Sequence, residues 1–285
     1  MNSSSMKGFF KTPYLLLAIA VALTTIHFQL IWRTNHQGQF LEASVICWAA
    51  AWFLVWRRRE ELTCKSHPTA SAIALIGIAW LLFRSLTVSQ YDSFMRLFPV
   101  VSGLSVALLA SGFALKSYWR ELLVLGFMTI PTTTLLSMID ISPLTAEFSG
   151  SLLWYTGFRV VQEGVMIHLP TGSVEVYKGC SGIQLIWQHL SLGLLFILLF
   201  PIGLIRSLIV PIAGISIAFI VNSIRVALMA ILVAQKNQEA FDYWHLGTGS
   251  LIFSMISVSL FGLLCYFLLE QADRAEEEEE EEVQA

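Results

Sequence analysis

The sequence predicts an all-α polytopic membrane protein of about eight transmembrane helices, with a short extracytoplasmic β-hairpin before the sixth. Three observations carry this. Hydrophobic residues make up 56% of the 285 positions and charged residues only 13%, with a mean hydropathy of +0.69, whereas an ordinary soluble domain is about 25% charged. Apolar stretches close to the roughly 20 residues needed to cross a hydrocarbon core of about 30 Å recur along the chain. The clusters of Lys and Arg fall in every second loop between them.

In chain order the spans fall at about 14–32, 43–56, 69–89, 94–115, 119–138, 180–202, 206–225 and 245–269. The second is short and snorkels at its ends. It is separated from the third by Arg57, Arg58, Arg59, Glu60, Glu61, Lys65 and His67, too polar for lipid. Lys7 and Lys11 precede a first apolar run longer than a signal peptide needs, with no small-residue cleavage site behind it. With the N-terminus in the cytoplasm, Arg57–Arg59, Lys65, Lys116, Arg120 and Arg206 all fall on that side. The opposite loops hold Asp92, Asp140, Glu147, Glu163 and Glu175 and fewer bases. Eight spans bring the C-terminus back inside, where residues 271–285, with the run Glu276–Glu282, read as a solvated, disordered acidic tail. A plasma-membrane protein with both termini cytoplasmic is therefore expected.

The longest stretch between spans, about 139–179, lies on the outer side in this scheme. Ser142 to Phe158 is amphipathic, with Ser142 as helix cap, Pro143 as first helical residue, and Trp154 and Tyr155 at headgroup level. From Val165 the pattern alternates, with Val165, Ile167 and Leu169 on one face and Met166 and His168 on the other. Pro170–Ser173 supply turn residues, and Val174 and Val176 then alternate with Glu175 and Tyr177, which predicts a hairpin. Its second strand leads into Lys178-Gly179-Cys180-Ser181-Gly182 and the sixth span. Residues 226–238 are read as a helix along or just outside the interface.

Four cysteines at 47, 64, 180 and 265 show no CxxC spacing, so neither a zinc site nor a disulfide framework is expected. No metal or cofactor motif is present, and the charge balance gives no case for nucleic acid. A free Cys is commonly a small buried hydrophobe, and Cys47 and Cys265 inside spans, with cytoplasmic Cys64, fit that description. Cys180 differs. It sits between Gly179 and Gly182 where a strand meets a helix N-terminus, which lowers a thiol pKa and offers the amides of Ser181 and Gly182 to an oxyanion.

Two further residues reach the same membrane face. Arg225 lies 19 residues beyond Arg206, a climb of about 28 Å, and as an outer cation it runs against the chain's own charge distribution. Asn222 is its i, i+3 neighbour. His245 opens the last span, and of the six histidines His168, on the hairpin, is its competitor as a base. Gln184 supports the site, since about 100° per residue puts it about 40° from Cys180 on the same helix face. His27 and His189 lie within spans, and Arg84 is read as structural, paired with Asp92 or Asp140.

Cys180-Ser181-Gly182 at the head of a membrane helix, Asn222-Ser223-Ile224-Arg225 at the outer end of a later one, and His245 at the start of the last resemble the exosortase/archaeosortase family. The resemblance covers about residues 14–269. It implies a cysteine protease/transpeptidase at the outer face of the bacterial plasma membrane, without cofactor. Cys180 would be the nucleophile, Arg225 the oxyanion stabiliser and His245 the general acid/base, with Ser181, Gly182, Gln184 and Asn222 in support. Its implied substrates are exported proteins with a C-terminal signal of a short Pro-Glu-Pro-type motif, a membrane helix and a basic tail. Two other readings stand beside it: a thiol-dependent membrane acyltransferase, and a non-enzymatic transporter or assembly subunit. Transporters tend to show internal repeats and midplane sites, and this chain has no repeats.

Overall fold

The computed structural model describes residues 12–34, 39–59, 67–90, 92–130, 136–245 and 249–284. Lys7, Lys11, His36, Glu60, Glu61, Cys64 and Lys65 lie outside them. The chain divides into two compact units, Met1–Pro131 and Thr132–Ala285.

The first unit contains α1 (Thr12–Arg33), α2 (Gln39–Arg57), α3 (Pro68–Thr87), α4 (Ser93–Ser111) and α5 (Trp119–Phe127). Asp92 caps α4 by accepting the Phe94 amide at 3.0 Å and also pairs with Arg84 at 3.1 Å. Buried His27 ties three helices together. The Trp48 indole donates to its Nδ1 at 3.1 Å, so Nε2 carries the proton and donates to the Met95 carbonyl at 3.1 Å. Its neutral tautomer is thus fixed by partners, and the residue is a packing element.

The expected span over 119–138 is not one helix. Helix α5 stops after nine residues, and the amides of Met128, Thr129 and Ile130 fall back to i−3 carbonyls. The Thr129 hydroxyl takes the Gly126 carbonyl at 2.7 Å, and Pro131 has no amide to continue the ladder and disfavours helix in the residue before it. Among the described residues five helices, over Tyr14–Arg33, Pro68–Thr87, Ser93–Ser111, Leu204–Ala234 and Gly249–Glu279, are long and apolar enough to cross a membrane. The apolar helices Ala43–Arg57 and Ile183–Leu199 are shorter. The protein is an all-α polytopic membrane protein with one small sheet.

The second unit comprises α6 (Ser142–Tyr155), β1 (Val161–Glu163), β2 (Met166–Leu169), β3 (Gly172–Glu175), a single 3₁₀ turn (Lys178–Cys180), α7 (Ile183–Leu199), α8 (Leu204–Ala234), α9 (Gln238–His245) and α10 (Gly249–Gln284). The hairpin has the expected alternation: β2 pairs antiparallel with β3, Ile167 opposite Val174 and Leu169 opposite Gly172. A third strand, β1, adds on the other edge through a two-residue loop at Gly164 and Val165, Gly164 having φ +61°. That edge had too few alternating residues to be read in advance.

The sheet rests on α8, which runs 31 residues without a break and so extends past the expected end at Arg225. At about 1.5 Å per residue it is some 46 Å long, more than a hydrocarbon core requires. Its last turns, with Val226, Ala227 and Ala230, form a core with Ile167, Leu169 and Val176. Gly172, at the start of β3, lets the sheet approach α8 closely. A Cβ on Gly172 would lie 2.9 Å from the Val233 side chain, and the Thr171 hydroxyl donates to the otherwise unpaired Ala234 carbonyl at 2.6 Å. Helix α8 ends in a Schellman turn, with Asn237 N–H to Leu232 O at 3.0 Å and Lys236 N–H to Val233 O at 2.9 Å, Lys236 taking φ +59°. The Asn237 side chain then accepts the Ala240 amide at 3.1 Å and starts α9.

Two helix ends differ from expectation. Ser142 is already inside α6 and does not cap it; the cap position is Ile141, and Asp140 just before it accepts the Ser142 amide at 3.0 Å. The acidic C-terminal run is not irregular. Helix α10 continues to Gln284, because Glu and Ala are strong helix formers, no Gly or Pro follows Gly262, and Arg274 pairs with Glu270 one turn back.

Candidate active site

The turn that carries the thiol is built by its own sequence. The Cys180 amide donates to the Tyr177 carbonyl at 2.8 Å and the Ser181 amide to the Lys178 carbonyl at 3.3 Å, closing a 3₁₀ turn. Gly182 follows with φ +86°, a left-handed conformation that glycine adopts without penalty. The helix therefore begins at Ile183 rather than at Cys180. Two expectations change with that. The Ser181 amide is spent inside the turn and is not offered to an oxyanion. Gln184 is exposed and lines no part of the cavity around the thiol, since the helical angle from Cys180 does not apply across a non-helical turn.

Side chains from two helices clamp this turn. Asn222 of α8 donates through Nδ2 to the Cys180 carbonyl at 2.9 Å, and Thr145 of α6 donates through Oγ1 to the Ser181 carbonyl at 2.8 Å. Ser149 fixes α6 to α8 in turn, donating to the Ser223 carbonyl at 3.0 Å. The Ser181 hydroxyl donates to the Lys178 carbonyl at 2.8 Å and the side chain is buried. A Cβ on Gly182 would fall 2.7 Å from Asn222 Nδ2, so glycine is required by contact as well as by dihedral angle.

The three distant residues meet. Cys180 Sγ lies 3.2 Å from His245 Nε2. Arg225 donates through Nη2 to the backbone carbonyl of His245 at 2.8 Å, holding the end of α9 beside the thiol. His245 closes α9 rather than opening the last helix, which begins at Gly249. Arg225 Nε is buried and has no hydrogen-bond partner. Cys180, Arg225 and His245 line one cavity of about 280 Å³ together with β3 and the α8 residues Met229 and Val233. His168, the other candidate base, does not line the cavity; its Nδ1 is 2.8 Å from the Ser173 hydroxyl on the neighbouring strand.

A model of the transmembrane exosortase family matches residues 32–262. The chain belongs to this family. No curated protein and no solved structure matches it. Membership gives the protein a membrane transpeptidase and sorting role in general terms.

In this exosortase the site holds two residues that sequence reasoning passed over. Tyr177 presents its hydroxyl 3.3 Å from His245 Nε2, and its ring stands edge-on to the imidazole at 6.3 Å. Its hydrogen bond to Cys180, then burial, then the Cys180 charge hold the phenol above its ordinary pKa, so it remains a proton donor at neutral pH. Gly179 makes room for it, a Cβ there falling 2.6 Å from Tyr177 Cε2. Phe241, one helical turn before His245, lies against the imidazole at 4.9 Å and restricts its tilt. A signal for Tyr177 was available: it precedes Cys180 by three residues, the spacing of a 3₁₀ turn. Burial, followed by the Arg225 charge, lowers the His245 pKa, and Asp242 opposes the shift. The imidazole is thus neutral at neutral pH and able to accept a proton from a thiol 3.2 Å away.

Proposed function

We propose that this protein is a cysteine transpeptidase that cleaves the C-terminal sorting signal of exported proteins at the outer face of the plasma membrane. The observation that carries the reading is the 3.2 Å approach of Cys180 Sγ to His245 Nε2, beside an Arg225 Nε that is buried without a partner. A nucleophile, a base and an unpaired N–H donor in one small cavity are the parts an acyl transfer needs. His245 takes the thiol proton as Sγ attacks the scissile carbonyl carbon. The carbonyl oxygen becomes an oxyanion next to the Arg225 guanidinium. When the intermediate collapses, the C–N bond breaks, His245 gives its proton to the leaving amine, and a thioester to Cys180 remains. An acceptor then loses a proton to His245, attacks the thioester carbon and releases the thiolate, which His245 reprotonates. Tyr177 donates a hydrogen bond to the sulfur while it carries negative charge.

The roles correspond to those of a catalytic triad, which is recognised by geometry rather than by fold. The family resemblance supports a substrate with a short Pro-Glu-Pro-type motif, one membrane helix and a basic tail, the helix packing laterally so that its outer end reaches Cys180. The test is processing of such a tailed protein in cells. Cys180→Ala should abolish processing while the protein still accumulates in the membrane. Trapping with a tailed substrate should give an adduct on Cys180 in the wild type that hydroxylamine releases. Normal processing by Cys180→Ala, or an adduct formed from lipid acyl donors alone, would overturn the proposal, the second in favour of an acyltransferase.

A further inference from the structure

The sheet beside the active site has one side without a partner. Its strand order is β1–β2–β3, so β3 is an edge strand. The pairing with β2 is regular from Leu169 opposite Gly172 to Met166 opposite Glu175, and the Val176 amide continues it to the Val165 carbonyl at 2.9 Å. In an antiparallel ladder the backbone groups of successive residues alternate in direction. Gly172, Val174 and Val176 turn theirs to β2, which leaves the N–H and C=O groups of Ser173 and Glu175 on the open side. Among the described residues these groups have no partner. Edges are commonly blunted by a proline, a lysine or a bulge, and β3 has none of them. The cavity that holds Cys180 and His245 lies along this edge. Successive side chains of a strand point to opposite faces, yet every residue from Ser173 to Tyr177 borders the cavity, which places it at the side of the strand rather than over one face.

The direction of β3 decides what can lie there, given the transpeptidase reading above, on which this inference rests. Gly172 lies against Val233, and Cys180, farther along the same segment, is held by Asn222. The segment therefore runs back along α8 for about 16 Å, from its outer end to the thiol. An exported protein whose membrane helix follows the cleaved bond descends in the same sense, N to C. We propose that substrate binds by strand addition, the extended segment before the cleaved bond pairing parallel with β3. In that pairing the residue opposite Val174 gives its N–H to the Ser173 carbonyl and accepts the Glu175 N–H, while its two neighbours turn their backbone groups away. Proline is tolerated at those neighbouring positions and not at the central one. A Pro-Glu-Pro motif has that order, with its N–H on the central Glu.

The test removes single backbone N–H groups from substrate and enzyme. The purified full-length chain in vesicles is given a synthetic peptide of Pro-Glu-Pro, one apolar helix and a basic tail. In one version an ester oxygen replaces the N–H of the motif's Glu. In another it replaces the N–H of the residue before the first proline, which falls beyond the edge. The first ester should raise KM about tenfold, the loss of one hydrogen bond, with kcat within about twofold. The second should change neither by more than about twofold. Glu175→Pro removes the N–H that faces the substrate and spares the ladder to β2. Its KM should exceed that of Glu175→Ala, which keeps the N–H, by at least about tenfold. Equal effects of the two esters, or equal KM values for the two variants, would overturn the strand pairing. If Glu175→Pro does not accumulate, the esters read on the wild type decide. Cleavage of the unmodified peptide with equal ester effects sinks this inference alone, whereas no cleavage of the unmodified peptide removes the transpeptidase reading and the inference with it.

Discussion

At the scale of single residues, the candidate site turns on which side chains hold His245. Its Nε2 is shared between Cys180 and Tyr177, its ring is backed by Phe241, and its carbonyl is held by Arg225. Burial and the Arg225 charge keep its pKa below the ordinary 6.5, and Asp242 alone among the named causes pulls it up. If the neutral imidazole is the base, the rate falls as pH drops through that lowered pKa. Asp242→Asn removes the raising influence, so the folded-state pKa moves further down. The acidic limb of the kcat/KM profile for a tailed substrate should therefore shift to lower pH, with the plateau unchanged. An unmoved limb, or one displaced upward, would mean that another group titrates. Cys180 and Arg225 stood out in the sequence because each broke a local trend, a thiol at a strand–helix junction and a cation on the acidic side, whereas His245 lies in an aromatic cluster where an imidazole is natural and is only slightly preferred to His168. Thr145 and Phe241 broke none, so only the folded chain reveals them, and the three-residue spacing of Tyr177 to Cys180 takes on meaning once the 3₁₀ turn is seen.

At the scale of elements, the loop from Tyr177 to Gly182 does more than join a strand to a helix. It takes the thiol out of the helical ladder and hands its carbonyls to Asn222 and Thr145. The alternation over 165–177 was enough to anticipate the β2–β3 pair, since a half-buried strand writes its period directly into the sequence. The 3₁₀ turn has no such period, which is why the helix start and the place of Gln184 were misread. The nine-residue α5 was missed for a related reason: hydropathy over 119–138 records apolar content, not the ladder interrupted ahead of Pro131. Gly182→Ala tests the turn. The added Cβ meets Asn222 Nδ2 at 2.7 Å and must also adopt φ +86°, strain of about 1–3 kcal/mol per feature. The Asn222 hydrogen bond to the Cys180 carbonyl should be lost and processing should fall by at least about tenfold, with the chain still inserted in the membrane. Processing within twofold of wild type, measured at equal protein level, would show that the clamp does not position the thiol.

At the scale of the whole molecule, the fold class was legible because lipid imposes length and apolarity on each crossing helix, whereas the sidedness rests on charge alone. The second unit sharpens that question. Arg206, near the start of α8, donates through Nη2 to the Gln271 carbonyl of α10 at 3.0 Å. Arg225, 19 residues along the same helix and so about 28 Å away, lies beside Cys180 and His245. The basic end of α8 and the thiol are thus separated by about the thickness of a hydrocarbon core. Positive charge is retained on the cytoplasmic side, so Arg206 and the helical acidic run beyond Gln271 should lie inside and Cys180 outside. A membrane-impermeant maleimide applied to intact spheroplasts should label the wild type, and Cys180→Ala should remove that label. Cys47 and Cys265 are buried and should not contribute. Labelling of Cys180 that appears only after the membrane is permeabilised would reverse the orientation of this unit, and with it any access of an exported substrate to the thiol.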